Sequence, residues 1–333
     1  MPTIMQRITA AATIAMVISG CAGPSGMRWP NTDKVSPRSA VEPATVIPAV
    51  QLELSIRTEK ESYYIGEPIY LVVHLRNTGR EAKRVMGQLH PDDGAIAVYV
   101  TATDGARGRY AQLANVDNDS TAYRELAGGE TIGDIFAIFF DANGWVFREP
   151  GIYQLDVTYR TIEQPTVASE VASNSISVTI EETPDGSGKV LVVAGDPASF
   201  EAGKFLLWQA GDHLVQGQER LTEIIERYPE SVLSNYVRFA LGKSLSQPFT
   251  DYGLGVIRPA DCRMSSVYLR AVKPAQISEN AQIQRLIAQY RCNVRLGDKD
   301  SAASAIGEVR KLIQNRPEYQ ALGARLDQME RRE

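Results

Sequence analysis

"YYIGEPIYLVVHLRNTG", residues 63–79, decides how the first part of this chain folds. Gly66-Glu67-Pro68 reads as a turn, because proline presets φ and glycine tolerates conformations other residues avoid. Beyond it Ile69, Leu71, Val73 and Leu75 recur at every second residue, the period of a strand with one face against a core. Asn77-Thr78-Gly79 ends the strand. His74 alternates with the inward set and is expected to face outward. Upstream, "QLELSIRT" (51–58) repeats the period with Leu52, Leu54 and Ile56. Downstream, strands are expected at 95–103, 109–114, 134–140, 151–160 and 175–182, with Gly, Asp and Asn in the gaps. Short strands with no helical period between them predict an antiparallel β-sandwich over 51–182.

"YIGEPIYLVVHLRNTG" and the later "EPGIYQLDVTYR" (149–160) together resemble bacterial immunoglobulin-like domains. In those, a Gly-Glu turn opens a long strand ending in Asn-x-Gly, and a Pro-Gly-x-Tyr element opens a late strand. The resemblance implies that Tyr153 is a tyrosine corner, its hydroxyl bonding backbone at the sandwich end. It implies a fold and leaves function open, since such domains act as proteinase inhibitors, spacers, or binders of glycans and proteins. Two loops offer oxygen ligands: Asp117, Asn118 and Asp119 in 115–121, and Asp141 and Asn143 in 140–145. Neither has the calcium-loop spacing closed by a bidentate glutamate, so turn roles are expected and no metal. The cluster "IFAIFFDANGWVF" (135–147) reads as strand core capped by Trp145.

Residues 183–196 read as a linker, Gly-rich at its start, and after it the period becomes helical. Asp196-Pro197 is an N-cap and first-turn pair. Helices are expected from Pro197 onward, including 261–272, 279–296, 300–315 and 318–332. "LLWQAGDHLVQGQERLTEIIERYPES" (206–231) and "AQYRCNVRLGDKDSAASAIGEVRKLIQNRP" (288–317) resemble tetratricopeptide repeats, with Gly217 and Gly297 at the interhelix turns and Pro229 and Pro317 at the ends. "ERYPES" followed by "SNYVRFALGKSL" is similar to helical repeats of outer-membrane assembly lipoproteins. The separation of Pro229 and Pro317 is not a multiple of the repeat of about 34 residues, and 246–261 interrupts the series. The resemblance implies a tetratricopeptide-like α-hairpin array over 197–333 with a groove for extended peptides or helices. The alternative is a plain helical bundle.

At the amino end, Arg7, the apolar run "ITAAATIAMV" (8–17) and Ile18-Ser19-Gly20-Cys21 resemble the signal and lipobox of bacterial lipoproteins. That resemblance implies a signal peptide at 1–20, cleavage before Cys21, and a diacylglycerol on the Cys21 thiol. Ala22, where an aspartate would imply inner-membrane retention, implies the outer membrane. Several acyl chains give stable anchoring where one is marginal. Residues 21–50 carry Pro24, Pro30, Pro37, Pro43 and Pro48 and read as a tether. Net charge is −5 without basic blocks, which argues against nucleic acid. Cys262 and Cys292 lie on consecutive expected helices, equally far in sequence from Ile277 in the connection. An antiparallel hairpin sets them at one height, and an oxidising periplasm favours a disulfide between them.

Catalytic patterns are missing from the sequence. The three histidines, His74, His90 and His213, stand apart, and no zinc-protease, nucleophile-elbow or Ser-x-x-Lys motif occurs. "LGKSL" (241–245) lacks the phosphate-loop glycine at 237, which is Val237. Carboxylates such as those of "RELAGGE" (124–130) read as solvated surface. The expectation is a non-enzymatic outer-membrane lipoprotein facing the periplasm. It would be held by its acyl chains, need no cofactor, and act as a scaffold or adaptor for another envelope protein. The alternatives are a proteinase inhibitor working through the sandwich loops, and an enzyme using carboxylates on envelope glycan or wall.

Overall fold

Alternating apolar and polar residues set the strands in the first part of the chain. The computed structural model describes residues 51–113, 123–161, 170–251 and 255–331. In order the strands are β1 (Leu52–Thr58), β2 (Ser62–Tyr64), β3 (Tyr70–Asn77), β4 (Lys83–Met86), β5 (Ile96–Thr101), β6 (Arg107–Arg109) and β7 (Tyr123–Leu126). There follow β8 (Thr131–Ala137), β9 (Phe140–Asp141), β10 (Gly144–Trp145), β11 (Gly151–Arg160), β12 (Glu170–Ala172) and β13 (Ile176–Glu181). One antiparallel sheet has the order β1-β3-β8, with Leu54 opposite Leu75 and Leu71 opposite Phe136. A second runs β2-β13-β11-β5-β6, parallel only where β2 meets β13, and β12 also pairs with β11. Leu54, Leu71 and Val73 of the first sheet and Val98, Leu155 and Val157 of the second lie in one apolar core.

Two strands depart from expectation. The one expected at 109–114 is the shorter β6, and Tyr110 beyond it donates its hydroxyl to Phe140 O at 2.8 Å. The one expected at 134–140 starts earlier, at Thr131, and breaks after Ala137, because the turn at Asp141–Gly144 folds β9 back on β10. Cys21, the signal and tether segments, and the 115–121 loop lie outside the described residues.

The later part is helical: α1 (Ser187–Leu191), α2 (Pro197–Trp208), α3 (Val215–Arg227), α4 (Val232–Leu245), α5 (Cys262–Ala271), α6 (Glu279–Arg295), α7 (Lys299–Ile313) and α8 (Gln320–Glu330). A short hairpin, β14 (Phe249–Asp251) and β15 (Val256–Arg258), separates α4 from α5. Side-chain caps start five helices: Asp196 on α2, Ser231 on α4, Asp261 on α5, Ser278 on α6 and Asp298 on α7. Each satisfies N–H groups that the first turn leaves unbonded. Gly297, with φ +77°, sits in the α6–α7 turn. Gly217 requires a correction: it lies inside α3, and the α2–α3 turn is built around Gln209 and Gly211, both at positive φ. The reason is packing, since a Cβ at 217 would come within 2.5 Å of the Ala202 nitrogen on α2.

The segment read as a linker, 183–196, is folded. It contains α1, and Leu191 is fully buried in the core that the sheets share with α2, α3 and α4. The described residues cluster as one compact unit.

The helical part also covers the back of the first sheet. Tyr70 and Val72, on the face opposite Leu71 and Val73, are buried. Ile135 of β8 packs against the cluster of Ile283, Leu286 and Ile287 from α6. A 3-10 turn at Pro317–Tyr319 comes so close that a Cβ on Gly133 would lie 2.8 Å from the Glu318 nitrogen. Three carboxylates stitch this seam. Glu318 accepts from Arg57 at 2.7 Å and Arg316 at 3.0 Å and contacts His74 Nε2 at 3.1 Å. Burial opposes its ionisation, but the bonds from His74, the backbone and Arg316 hold its carboxyl down to about 2. Glu59 accepts from the Glu279 and Asn280 N–H groups at 2.6 and 3.0 Å, closing the start of α6 from the sheet side. Burial raises its pKa against those two bonds. Glu67 accepts from the Tyr236 hydroxyl at 3.2 Å and pairs with Lys60, and the same hydroxyl accepts from Ser278 N–H at 2.8 Å.

Candidate functional site

A cleft of about 270 Å³ opens between α5, α6 and α7. Its floor is α6, which presents Arg285, Gln289 and Asn293 four residues apart. Four residues is just over one helical turn, so the three side chains form a ladder with a rise of about 6 Å. Ser266 and Arg270 of α5 line one wall, and Ser304 and Glu308 of α7 line the other. The opposite side of α6 explains this placement. Ile283, Ile287 and Tyr290 are buried against α7 and the first sheet, which leaves the polar stripe on the open side, with Leu286 at its edge.

Arg285 is the fixed point of the cleft. It is 8% exposed, donates Nε to Gln282 at 2.9 Å and Nη1 to Leu269 O at 3.3 Å. Burial disfavours its charge, and Glu308 opposes that effect. Amides, hydroxyls and two guanidiniums can exchange hydrogen bonds with a polar chain, and the lining offers no arranged nucleophile and base.

Cys262 opens α5 and Cys292 lies in α6, their Cα atoms 5.0 Å apart and joined by a disulfide. The link stands one turn from the cleft, since Ser266 Oγ donates to Cys262 O at 2.8 Å and Asn293 follows Cys292. It sets the spacing between the α5 wall and the α6 floor.

The other residues singled out in the sequence do not meet. His74 is on the face opposite Leu75 and is half-buried beneath the helical part, on Glu318. His90 Nδ1 accepts from Asp92 N–H at 3.2 Å, and His213 stacks on Phe249. Asp141 accepts from Asn143 N–H at 2.7 Å, the bond of a turn, and from Ala111 N–H at 2.9 Å, which ties that turn to the segment after β6. Trp145 is buried, and its Nε1 donates to Ser199 Oγ at 3.0 Å. The Tyr153 hydroxyl donates to Glu149 O at 3.0 Å. Among the described residues no group of three His, Cys, Asp or Glu is placed to hold a metal ion. Nor is any helix among them long and apolar enough to cross a membrane.

Sequence reasoning missed Lys243, which sits in α4 where "LGKSL" gives only a failed phosphate loop. Its ammonium is buried among Gln209, Gln284 and Arg291, donating to the two amides. Burial, with Arg291 adding to it, pushes its pKa down to about 8. It missed the α6 ladder too, although the signal is present: polar residues at i, i+4 and i+8 opposite an apolar stripe.

No family model matches the sequence, and no curated protein matches it. Solved structures do. The chain is similar to the CARDB domain of a Pyrococcus furiosus protein, solved with di-metal ions, at 13% identity over 39% of this chain and 87% of that one, TM-score 0.24. The C-terminal domain of Wzt matches at 9% identity over 40% and 75%, TM-score 0.27. A β-glucosidase from Listeria innocua matches at 16% identity over 39% and 16%, TM-score 0.22.

Proposed function

We propose that this protein is a lipid-anchored scaffold or adaptor of the bacterial outer membrane, facing the periplasm, that holds an extended segment of another envelope protein in the α5–α7 cleft without catalysis. The observation that carries the reading is the ladder of Arg285, Gln289 and Asn293. Its steps of about 6 Å match the roughly 6.6 Å between every second residue of an extended chain. Side-chain amides at that interval can bond successive backbone N–H and C=O groups, while Ser266 and Ser304 serve the flanks. In this reading the N-terminal sheets are an immunoglobulin-like β-sandwich, and the pairs α2–α3, α4–α5 and α6–α7 a tetratricopeptide-like array. The lipobox-like Ile18-Ser19-Gly20-Cys21 supports acylation at Cys21, and residues 21–50 supply reach from the bilayer.

The test uses the full chain in cells, with a photo-crosslinking residue at Ser304 and mass spectrometry of the products. One crosslinked envelope partner, lost in the Gln289→Ala/Asn293→Ala double variant at unchanged protein level, is the expected result. Crosslinks that persist in that variant reject the cleft. A Cys21→Ser protein that fractionates with membranes as the parent does rejects the anchor.

A further inference from the structure

A second cleft, about 380 Å³, opens where the β9–β10 turn meets the segment between α1 and α2. Its apolar surface comes from Trp145, Val192 and Phe200. On its wall Arg148 is tied back onto the turn, donating Nε to Trp145 O at 2.6 Å and Nη2 to Asn143 O at 2.7 Å. Two of its five N–H groups are thus used on backbone, and three remain. Among the described residues it makes no ion pair.

Two carboxylates share the cleft. Asp196 is satisfied: it caps α2 through the Ala198 and Ser199 N–H groups and pairs with Arg220 at 2.9 Å. Glu149 is exposed, and its carboxylate makes no hydrogen bond or ion pair among the described residues, so it is free to turn into water. Among the described residues Arg148 is thus the one cation of the lining, held on the turn, and it stands beside an aromatic and aliphatic floor. Gly144, at φ +101°, keeps the turn bare between Phe200 and Arg148, which a Cβ there would approach to 3.6 and 3.8 Å.

We propose that this cleft binds the α-carboxylate of an apolar residue, either a free amino acid or the C-terminus of a peptide. The remaining N–H groups of Arg148 present a planar fork to the carboxylate, the geometry in which arginine binds it most strongly. The apolar side chain lies on Phe200 and Val192. The volume is near the lower end of small-ligand sites, which suits one residue and not a lipid chain. The site is independent of the α5–α7 cleft, and neither needs the other.

Calorimetry on the purified full chain tests this with four probes: L-leucine, N-acetyl-L-leucine, L-leucinamide and the tripeptide Ala-Ala-Leu. N-acetyl-leucine is expected to bind and leucinamide not. The tighter of leucine and tripeptide identifies the source of the carboxylate. Arg148→Gln should weaken binding at least tenfold, and Ala194→Trp, on the exposed rim, should block it while leaving the melting curve unchanged. Ala194→Trp carries the test should Arg148→Gln fail to fold. Equal binding of leucinamide, no binding of any probe at millimolar concentration, or parental affinity in either folded variant overturns the proposal.

Discussion

Strands β3 and β11 each run through the middle of a sheet, yet they live in different surroundings. Along β11 buried and open positions alternate, with Tyr153, Leu155, Val157 and Tyr159 inside and Ile152 on the far face 57% exposed. Along β3 both faces are covered: Leu71, Val73 and Leu75 by the second sheet, Tyr70 and Val72 by the helical part. The six-stranded sheet faces water with its back, whereas the three-stranded sheet is a middle layer. A sheet covered on both sides joins its two neighbours into one body, so the helices stabilise the strands and the strands stabilise the helices.

The sharpest way to break this comparison is a charge on each back face. Val72→Asp places a carboxylate in a dry layer and should cost more than about 4 kcal/mol or abolish folding. Ile152→Asp, on the open back of β11, should stay within about 1 kcal/mol. Urea unfolding of both variants measures the pair, and equal losses would show that the helical part does not seal β3.

A smaller effect comes from the seam. Glu318→Gln removes the carboxylate shared by Arg57, His74 and Arg316, at a cost of about 2–3 kcal/mol, moderated by the exposure of Arg57. The pH dependence has a definite sign. The Glu318 carboxyl ionises at about 2 in the fold against an ordinary 4.5, so its contribution is complete above that ordinary value and is lost as pH falls toward 2. The variant should lose that part of the acid limb in melting temperature. A parallel acid limb would remove Glu318 from the seam.

The smallest effect has the opposite sign. Lys243 is held at about 8 against an ordinary 10.5, so its charge penalises the fold fully below pH 8, and the penalty lifts as pH rises toward 10.5. Lys243→Met should raise stability at pH 7 by about 1–2 kcal/mol and flatten the gain of the parent between those pH values. Thermal melts from pH 6 to 10 check it.

Much of this architecture can be read locally. The period of two in "QLELSIRT" and "YLVVHLRN", and the caps at Asp196, Ser231 and Ser278, need only neighbouring residues, so β1, β3, α2, α4 and α6 are legible in the sequence. The seam is not. Glu59 meets α6 from 220 positions away, and Arg57 meets Glu318 from 261. No local pattern encodes such pairs. One clue was available, since Tyr70 and Val72 make β3 a nearly continuous apolar run, the mark of a strand covered on both faces. His74 in the middle of that run drew attention to alternation instead. In the cleft, the polar residues of α6 read as ordinary solvated helix surface until α5 and α7 are seen to flank them. Gly217 misled because a glycine between two helical runs signals a turn as readily as a close helix contact.

The closing turn at Pro317–Tyr319 has a consequence for manufacture. The sheet β1-β3-β8 is paired by Ala137, but its back is closed by α6 and the Pro317–Tyr319 turn, so a chain emerging amino end first holds that sheet half-covered until the helical part has followed. Contacts of such span slow folding. A product cut short before Glu279 would lack α6 and leave the back of the first sheet around Ile135 uncovered, an oily strip by which quality-control machinery can tell the unfinished molecule from the finished one.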